Sequence, residues 1–317
     1  MNTTEKVIVE QFSYWEAALG SNAREARSDL LVFVGCGTSY NLALSLAAYA
    51  NMAGRKAIAA PGSDWTNRPS ALWADWKHTH VVALSRSGES TETVAAAKAS
   101  RAAGAFVTAI TCEPDSALAK NCDQLVAAKT HPDEGIVMSV SASLMVLLGL
   151  QMISQAVPVS AVASARRLME ALDAGLSKTV LDRSYFVFLG GGPLFGIALE
   201  GALKLMEMSQ VVTQAFHPLE YRHGPISLID ERAAAVVLYS SDQREAEAKL
   251  VGELQEKGAF VIGIGGPGDL ELSVDVDLSL AGLVMLPALQ ILGERVAQAR
   301  GIDTLSPRHL TKVVSLA

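Results

Sequence analysis

Two short segments combine glycine with several hydroxyl side chains, and each one follows an apolar run. The first segment is 35–39, Gly-Cys-Gly-Thr-Ser, and the second is 85–91, Ser-Arg-Ser-Gly-Glu-Ser-Thr. Glycine lets backbone amides approach a ligand closely, and the helix that each segment starts would direct N–H groups at an anion. The pair therefore predicts a phosphate cradle, to which Arg86 could add a full charge. The alternative is that these hydroxyls cap helices and form turns.

Three charged residues lie in an otherwise apolar helical run, 197–209. At about 100° per residue, Glu200, Lys204 and Glu207 lie at about 0°, 40° and −20°, on one narrow face. One interpretation is a solvated stripe with an ion pair worth about 0.2–0.5 kcal/mol. The other is that acid and base line a cleft, where burial shifts their pKa values. The spacing leaves both interpretations open.

Two further groups could take part in proton transfer. A Gly-Pro turn at 224–225 predicts that His223 stands at a loop tip. Lys312 is the last positive charge of the chain, and by itself it is typical of a solvated tail. The six histidines show no spacing typical of a metal site. The sequence also has no complete dinucleotide fingerprint, no Walker motif and no nucleophile elbow, which argues against those function classes.

The elements that would hold these groups are repeated once along the chain. The segment 31–37, Leu-Val-Phe-Val-Gly-Cys-Gly, resembles 186–192, Phe-Val-Phe-Leu-Gly-Gly-Gly, at an offset of 155. The segment 104–107, Gly-Ala-Phe-Val, recurs at an offset of 154. We interpret the chain as two copies of one fold and predict two domains, 1–155 and 156–317.

Each copy alternates short apolar runs with stretches of helical composition. Runs of four to seven apolar residues are typical of strands that are covered on both faces. The alternation predicts an α/β fold in which each half is a five-stranded parallel, doubly wound sheet flanked by helices. Ligands of such sheets bind beyond the carboxyl ends of the strands. The predicted strands are 31–34, 56–60, 80–84, 105–111 and 124–128 in the first copy, and 185–189, 211–214, 234–239, 259–264 and 276–280 in the second.

Composition and charge narrow the classes of function. With 26 basic against 33 acidic residues, the net charge of −7 argues against a nucleic-acid surface. Three cysteines, an odd and low number, favour a reducing cytoplasm over a secreted disulfide framework. The residues after Met1 are too polar for a signal peptide. The uncharged stretches 135–165 and 278–293 lack basic flanks and aromatic belts, so we expect buried helices there rather than membrane spans.

Five motifs of this sequence resemble those of the sugar isomerase (SIS) family. The similarity covers residues 30–317 and is greatest to two branches, the isomerase part of glutamine–fructose-6-phosphate transaminase and the tagatose-6-phosphate ketose/aldose isomerases. The resemblance implies two tandem SIS subdomains and a homodimer with a shared active site. The motifs are Gly35-Cys36-Gly37-Thr38-Ser39, Ser85-Arg86-Ser87-Gly88-Glu89-Ser90, Ala198-Leu199-Glu200-Gly201-Ala202-Leu203-Lys204-Leu205, Arg222-His223-Gly224-Pro225, and Pro307-Arg308 followed by Lys312.

The resemblance also implies roles for individual residues. Glu207 matches the base that moves a proton between C1 and C2 of the sugar. His223 matches the histidine that opens the sugar ring, which the neighbouring subunit supplies in the family. Lys312 matches the tail lysine that closes over the substrate, and Lys204 matches a second active-site lysine. Val137 and Ser139 match sugar contacts, and the hydroxyls that bind the phosphate are matched by Thr38, Ser39, Ser85, Ser87 and Ser90.

Three departures from the family pattern concern the substrate and the reaction. Where the transaminase has Ser-Thr-Lys, this chain has Ser139-Val140-Ser141, which looks closer to the tagatose-phosphate branch. Arg86 stands where the transaminase has glutamine. About 30 residues precede the first predicted strand, so we expect no glutaminase domain and no release of ammonia from glutamine.

These observations together predict a phosphosugar isomerase. It would interconvert an aldose and a ketose 6-phosphate through an enediol(ate), with no metal or redox cofactor. The same proton transfer would serve an amino-sugar-phosphate deaminase or deglycase, which is the nearest alternative. A non-catalytic sugar-phosphate sensor is the alternative from another class, and the presence of Glu207, His223 and Lys312 argues against it. We expect a cytoplasmic homodimer in carbohydrate metabolism that binds a phosphorylated sugar or amino sugar, with no nucleic-acid or membrane partner.

Overall fold

The chain forms two compact units, each with its own sheet. The computed structural model describes residues 1–20, 28–72 and 76–313. The N-terminal unit comprises Glu10–Pro158 and the tail from His309 onwards, and the C-terminal unit comprises Met1–Val9 and Val159–Arg308. The predicted domain boundary between residues 155 and 156 stays a prediction.

A five-stranded parallel sheet forms the centre of the N-terminal unit. Its strands are β1 Leu30–Gly35, β2 Ala57–Pro61, β3 Thr79–Ser85, β4 Phe106–Thr111 and β5 Gln124–Ala127. They lie in the order β2-β1-β3-β4-β5, so β1 and β3 are neighbours in the middle of the sheet. The first five helices along the chain are α1 Thr3–Ala18, α2 Thr38–Met52, α3 Gly62–Asn67, α4 Thr91–Ala102 and α5 Val140–Met152.

The central strands are apolar throughout because both of their faces are covered. Every residue of β1 and β3 is buried. Val32, Val81 and Val107 belong to a core that also contains Trp65. The indole N–H of Trp65 donates to the hydroxyl of Ser100 at 2.9 Å, so the ring is buried without leaving its polar group unpaired.

The C-terminal unit repeats the same parallel architecture. Its strands are β6 Tyr185–Gly190, β7 Val212–Phe216, β8 Ala233–Leu238, β9 Phe260–Ile264 and β10 Leu270–Leu272. They lie in the order β10-β9-β8-β6-β7, and β6 and β8 are again neighbours. The predicted fold class, two tandem five-stranded parallel sheets flanked by helices, is confirmed. The helices are α6 Val159–Gly175, α7 Lys178–Leu181, α8 Pro193–Ser209, α9 Arg244–Glu256 and α10 Leu278–Ala299.

One predicted strand is wrong. Residues 276–280 do not form a strand, because Asp277 is the N-cap of α10 and the apolar run after it continues as a helix. The prediction followed the internal repeat, in which 275–278 lies near the position that matches 123–126. The strand in this place is β10, whose three residues are too few to show a period.

The helix α10 is long and apolar enough to cross a membrane by length and composition alone. Its most apolar window has a mean hydropathy of 1.4, but 94% of that window is buried inside the protein. The helix packs against α8 and α6. A core helix passes the same test of length and hydropathy, so this feature by itself is weak evidence for a membrane.

Candidate active site

The first glycine-rich loop connects β1 to α2. Gly37 has a φ of +54°, a left-handed conformation that favours glycine. A Cβ on Gly35 would lie 2.5 Å from the backbone carbon of Ser39, so this turn also needs glycine for close packing. Thr38 and Ser39 are the first two residues of α2, and both are buried. Their position at a helix N-terminus is one that suits an anion.

The second loop connects β3 to α4 and is held by its own hydroxyls. Ser85 Oγ accepts the Gly88 N–H at 3.1 Å and donates to Ser90 Oγ at 3.3 Å. Ser87 Oγ accepts the Glu89 N–H at 3.2 Å. These bonds agree with the interpretation of the hydroxyls as turn formers. Each hydroxyl also has further capacity for hydrogen bonds, so the loop could bind an anion as well.

The two loops lie at one edge of the sheet, as the sequence predicted. The strands β1 and β3 pair in parallel, from Leu30 with Thr79 to Val34 with Ala83, so their carboxyl ends are adjacent. Adjacent loops at the carboxyl edge are where open α/β sheets bind ligands. The binding of a phosphate by Thr38, Ser39, Ser85, Ser87 and Ser90 stays a prediction.

Arg86, in the second loop, contacts backbone carbonyls. The residue is buried, with 8% of its surface exposed. Nη1 donates to the carbonyl oxygen of Gly135 at 3.0 Å, and Nη2 donates to the carbonyl oxygen of Lys312 at 3.0 Å. The ammonium of Lys312 in turn donates to the carbonyl oxygen of Glu134 at 2.8 Å. The structure therefore brings Arg86, Lys312 and the segment 134–139 together. The predicted contact of Arg86 with phosphate stays a prediction.

Glu134 organises this region, although the sequence analysis did not select it. Its carboxylate is buried and accepts the N–H groups of Ser139 and Ser141 at 2.7 and 3.0 Å, the hydroxyl of Ser139 at 3.2 Å and that of Thr130 at 2.7 Å. It thereby caps the start of α5 and fixes the segment that contains Val137 and Ser139. The signal in the sequence was a single acidic residue ahead of a hydroxyl-rich helix start. The roles of Val137 and Ser139 as sugar contacts stay predictions.

The charged residues of α8 form a buried cluster in the C-terminal unit. Lys204 Nζ lies 2.5 Å from Glu207 Oε2 and 3.5 Å from Glu200 Oε1. The Lys204 and Glu200 side chains are 1% and 0% exposed, and the Glu207 side chain is 20% exposed. This burial excludes the interpretation as a solvated stripe. The helix packs closely because Gly201 faces Phe188 and Leu289, where a Cβ would lie under 3.0 Å from either side chain.

His223 lies at the end of a 3₁₀ turn formed by Leu219–Arg222, and it is exposed. Gly224 follows with a φ of +124°, so the predicted turn at 224–225 does present the imidazole at a loop tip. Arg222 anchors the turn through two 2.9 Å bonds to the carboxylate of Glu253, which raises the pKa of the guanidinium. The role of His223 in opening a sugar ring stays a prediction.

In the C-terminal unit, the loop that follows β8 is bonded to a buried carboxylate, that of Glu247 on α9. Ser240 N–H and Oγ–H donate to Glu247 at 2.9 and 3.1 Å, and Glu247 Oε1 lies 3.9 Å from where a Cβ of Gly191 would be. Burial raises the pKa of this carboxyl. Both polar groups of Ser240 are therefore already bonded to a carboxylate of the same chain, which makes them poorly suited to an external anion.

The predicted site residues divide between the two units. Lys204, Glu207 and His223 belong to the C-terminal unit, and the other nine belong to the N-terminal unit. Among the described residues, no three or more His, Cys, Asp or Glu side chains are grouped so that they could hold a metal ion.

A profile of the SIS domain matches residues 26–152 and 182–280, one match in each copy of the fold. The chain belongs to the SIS family. The two matches cover more than half of the chain and contain both hydroxyl-rich loops, the helix α8 and His223. This family consists of phosphosugar isomerases and related enzymes, which supports an enzyme of this kind.

The SIS protein is similar to several known proteins. It is 28% identical to a glutamine–fructose-6-phosphate aminotransferase (isomerizing) of Shewanella oneidensis over 95% of this chain and 54% of that one. The corresponding protein of Mycobacterium leprae is 30% identical over 91% of this chain and 51% of the relative. The chain thus spans about half the length of these curated relatives.

Two solved structures share the fold over nearly their whole length. A glucosamine-6-phosphate deaminase of Thermotoga maritima superposes with a TM-score of 0.86 and 30% identity, over 99% of this chain and 100% of the other. A tagatose-6-phosphate ketose/aldose isomerase of Escherichia coli gives a TM-score of 0.78 and 22% identity, over 95% and 97%. The second likeness concerns the fold alone.

Proposed function

We propose that this SIS protein is an enzyme that moves a proton between C1 and C2 of a 6-phosphosugar and so interconverts an aldose and a ketose. The observation that carries the proposal is the exposure of the three charged residues on α8. Glu200 and Lys204 are buried, whereas part of the Glu207 side chain reaches solvent. A base must touch the proton that it removes. Glu207 is therefore the member of this cluster that can meet a substrate.

Lys204 prepares Glu207 for this role. Its ammonium binds one carboxylate oxygen, Oε2, at 2.5 Å and compensates the charge of a partly buried group. The bond fixes the carboxylate in one orientation and leaves Oε1 as the proton acceptor. Lys204 also lies 3.5 Å from Glu200 Oε1, so a second carboxylate keeps the ammonium in place.

The hydroxyl-rich loops of the N-terminal unit are the proposed phosphate site. They start two helices at one edge of a sheet, which directs amide N–H groups at a bound anion. The proposed ligands are the hydroxyls of the two loops. Phosphate binding energy would hold the reacting carbons in place for proton transfer. The proposed phosphate ligands are Thr38, Ser39, Ser85, Ser87 and Ser90.

The proposed reaction starts with ring opening. The His223 imidazole takes the proton from the C1 hydroxyl and gives one to the ring oxygen, which releases the open-chain aldose. Glu207 then removes the C2 proton, and the electron pair moves to the carbonyl oxygen on C1 to form the enediol(ate). Return of the proton to C1, together with transfer of the C2 hydroxyl proton to the oxygen on C1, gives the ketose. The Lys312 ammonium would stabilise the developing oxyanion.

Amino-sugar-phosphate deamination is the second candidate, and a specific observation favours it. The Thermotoga maritima protein, which is named as a glucosamine-6-phosphate deaminase, matches over its whole length at 30% identity. The same proton transfer from C2 to C1 would convert a 2-amino aldose into an imine at C2. Addition of water to that carbon and departure of ammonia would then give the ketose. The substituent on C2, rather than the base, separates the two activities.

A panel of 6-phosphosugars, with and without an amino group on C2, separates the candidates. Each compound is incubated with the enzyme, and both the ketose phosphate and free ammonia are measured. Ketose from a neutral aldose without ammonia supports the isomerase, and one ammonia per ketose from an amino sugar supports the deaminase. Stabilisation of the protein by these compounds without any product would indicate a sensor and contradict the proposed function.

A further inference from the structure

The guanidinium of Arg86 joins two segments that are distant in sequence. Nη1 donates to the carbonyl of Gly135 and Nη2 donates to the carbonyl of Lys312, both at 3.0 Å. The residue is 8% exposed, so water competes little for these two carbonyls. A planar guanidinium can donate in two directions at fixed geometry, which a single ammonium cannot do. Arg86 is thus built into the structure as a bridge between carbonyls.

The tail residue Lys312 is held at both of its ends. Its carbonyl oxygen accepts from Arg86, and its ammonium donates to the carbonyl oxygen of Glu134 at 2.8 Å. Apart from these contacts the residue is exposed, as are its neighbours 308–311 and Val313. An exposed tail without regular structure is ordered by few bonds. The bond from Arg86 therefore has a large effect on where the Lys312 ammonium lies.

The segment that receives both cations is itself fixed. The carboxylate of Glu134 accepts the N–H groups of Ser139 and Ser141. Upstream, His131 Nε2 bonds Glu10 Oε2 at 3.0 Å, and His131 Nδ1 accepts the Asp133 N–H at 3.0 Å. The carbonyl oxygens of residues 134 and 135 are therefore held in place, and they accept hydrogen bonds from Lys312 of the tail and Arg86 of the second loop.

We infer that Arg86 is a positioning residue that ties the tail lysine, Lys312, to the loop that follows β3. This inference rests on the proposed function, because it gives the loop of Ser85, Ser87 and Ser90 a second task besides phosphate binding. Through Arg86, the loop that takes the phosphate also sets the backbone position of the lysine that stabilises the oxyanion. The arginine acts through Lys312. Its replacement should therefore lower kcat and leave the affinity for phosphate nearly unchanged.

The first test follows the tail directly and needs no substrate. Trypsin cleavage after Lys312 is measured by mass spectrometry in the wild type and in the variants Arg86→Ala and Arg86→Lys. Release of the tail should raise the cleavage rate at least about tenfold in both variants, since local opening sets the rate of proteolysis. Arg101→Ala is the control, because it removes an exposed arginine of the same unit that pairs with Asp123. Equal cleavage in all four proteins would overturn the inference.

The second test is a double-mutant cycle with Lys312→Ala. Misplacing a catalytic group by about 1 Å can cost up to about 100-fold in rate, so Arg86→Ala should lower kcat by about 10- to 100-fold. In the Lys312→Ala background the same change should lower kcat less than about twofold, because the group through which it acts is already gone. Independent, multiplicative effects would overturn the inference.

A competition experiment separates this role from direct phosphate binding. Inorganic phosphate serves as the probe, as a competitive inhibitor of the phosphosugar reaction. In Arg86→Lys the inhibition constant should change less than about threefold while kcat falls. A loss of phosphate affinity above about tenfold with unchanged kcat would make Arg86 a phosphate ligand and overturn the inference. If no phosphosugar is turned over at all, the proposed function fails, and the trypsin result still decides the link between Arg86 and the tail.

Discussion

At the scale of single residues, Lys204 has the most constrained environment in the proposed site. It is a full positive charge with 1% exposure, and it is compatible with the interior because two carboxylates lie within 3.5 Å. Removing one member of a buried ion cluster leaves the others uncompensated, which costs more than the cluster contributes as a whole. Its chemistry and its stability therefore depend on the same contacts.

We predict that Lys204→Met lowers the free energy of unfolding by about 3–5 kcal/mol, because the buried carboxylate of Glu200 then loses the ammonium that lies 3.5 Å away. Urea denaturation at pH 7 measures this loss. Lys249→Met is the matched control, since Lys249 also has a glutamate four residues away, but its side chain is 69% exposed. An exposed pair of this kind contributes at most about 0.5 kcal/mol. Equal losses in the two variants would show that the α8 cluster is not buried in solution.

His80 is a second residue whose environment has a measurable consequence. It lies buried on β3, where Nε2 bonds Thr108 Oγ1 at 2.8 Å and Nδ1 has no hydrogen-bond partner among the described residues. Burial is the main cause that lowers the pKa of the imidazole to about 4, and the charge of Arg55 contributes to the same shift. Between pH 6.5 and about 4, His80 therefore binds a proton in the unfolded chain but stays neutral in the folded protein.

We predict that the folded state loses about 2 kcal/mol of stability through His80 when the pH falls from 7 to 5. The loss begins near pH 6.5 and is complete once the pH lies below the folded value of about 4. His80→Gln, which can still bond Thr108, should lack this component. The difference between the two urea-unfolding curves across this pH range isolates it from the titration of carboxyl groups. Parallel pH profiles for the two proteins would contradict the assignment.

At the scale of elements, glycines decide how closely helices pack. Gly149 of α5 faces α2, where a Cβ would lie 2.5 Å from a methyl carbon of Leu46. The helix α5 positions Ser139 at its N-cap, so its distance from α2 matters for the site. Gly252 of α9 differs, because among the described residues no heavy atom lies within 4 Å of a Cβ built there.

We predict opposite effects of alanine at these two helical glycines. Gly149→Ala should lower the free energy of unfolding by about 1–3 kcal/mol through overpacking. Gly252→Ala should raise it by about 0.5–1 kcal/mol, because alanine restricts the unfolded chain and favours the helix. Thermal and urea unfolding of the two variants measure both changes. Stabilisation by both substitutions would show that α2 and α5 are not packed as closely as described.

The elements also show what could be predicted from the sequence. The buried strands β1 and β3 were recognisable as continuous apolar runs, and the charged face of α8 followed from helical geometry alone. The degree of burial of Lys204 did not, because the pattern of one helix does not say what covers it. The fold rule that directs attention to the carboxyl ends of strands also misses Glu207. Glu207 lies in the last turn of α8, just before the chain enters β7, and therefore not in a loop that follows a strand.

The role of Glu134 and the position of β10 could not be predicted from the sequence, for two further reasons. The carboxylate of Glu134 binds the amides of residues five and seven positions along, through a loop whose course no local pattern specifies. The strand β10 has three residues, too few to show a period, and the internal repeat placed the last strand a few residues further along.

At the scale of the whole molecule, the two copies of the fold have diverged in their loops. In the C-terminal copy Ser240 bonds the carboxylate of Glu247, whereas Ser85 of the N-terminal copy bonds Gly88 and Ser90 within its own loop. The helix α8, which carries the proposed base Glu207, belongs to the C-terminal copy. We therefore propose that the duplication separated phosphate binding from proton transfer, with one task for each copy. The family resemblance implies a homodimer in which His223 would serve the neighbouring subunit, and this stays a prediction.

We predict that two inactive variants restore activity when they are mixed. In a mixed dimer of Glu207→Gln and His223→Ala, one of the two sites has the wild-type glutamate of one chain and the wild-type histidine of the other. Refolding the two variants together should give about a quarter of the wild-type activity, since about half of the dimers are mixed and each has one intact site. Each variant refolded alone is the control. No recovery after mixing would place both residues of a site on the same chain.

The central claim is that Glu207 moves the proton between C1 and C2, and exchange with solvent tests it most directly. The enzyme is incubated in D₂O with the 6-phosphosugar that it turns over, and NMR follows deuterium at C1 and C2. We predict that Glu207→Gln lowers the exchange rate by at least about 1000-fold while the affinity for the phosphosugar changes less than about threefold. Glu170→Gln, at an exposed position on α6, should exchange at the wild-type rate. Undiminished exchange in Glu207→Gln would contradict the account.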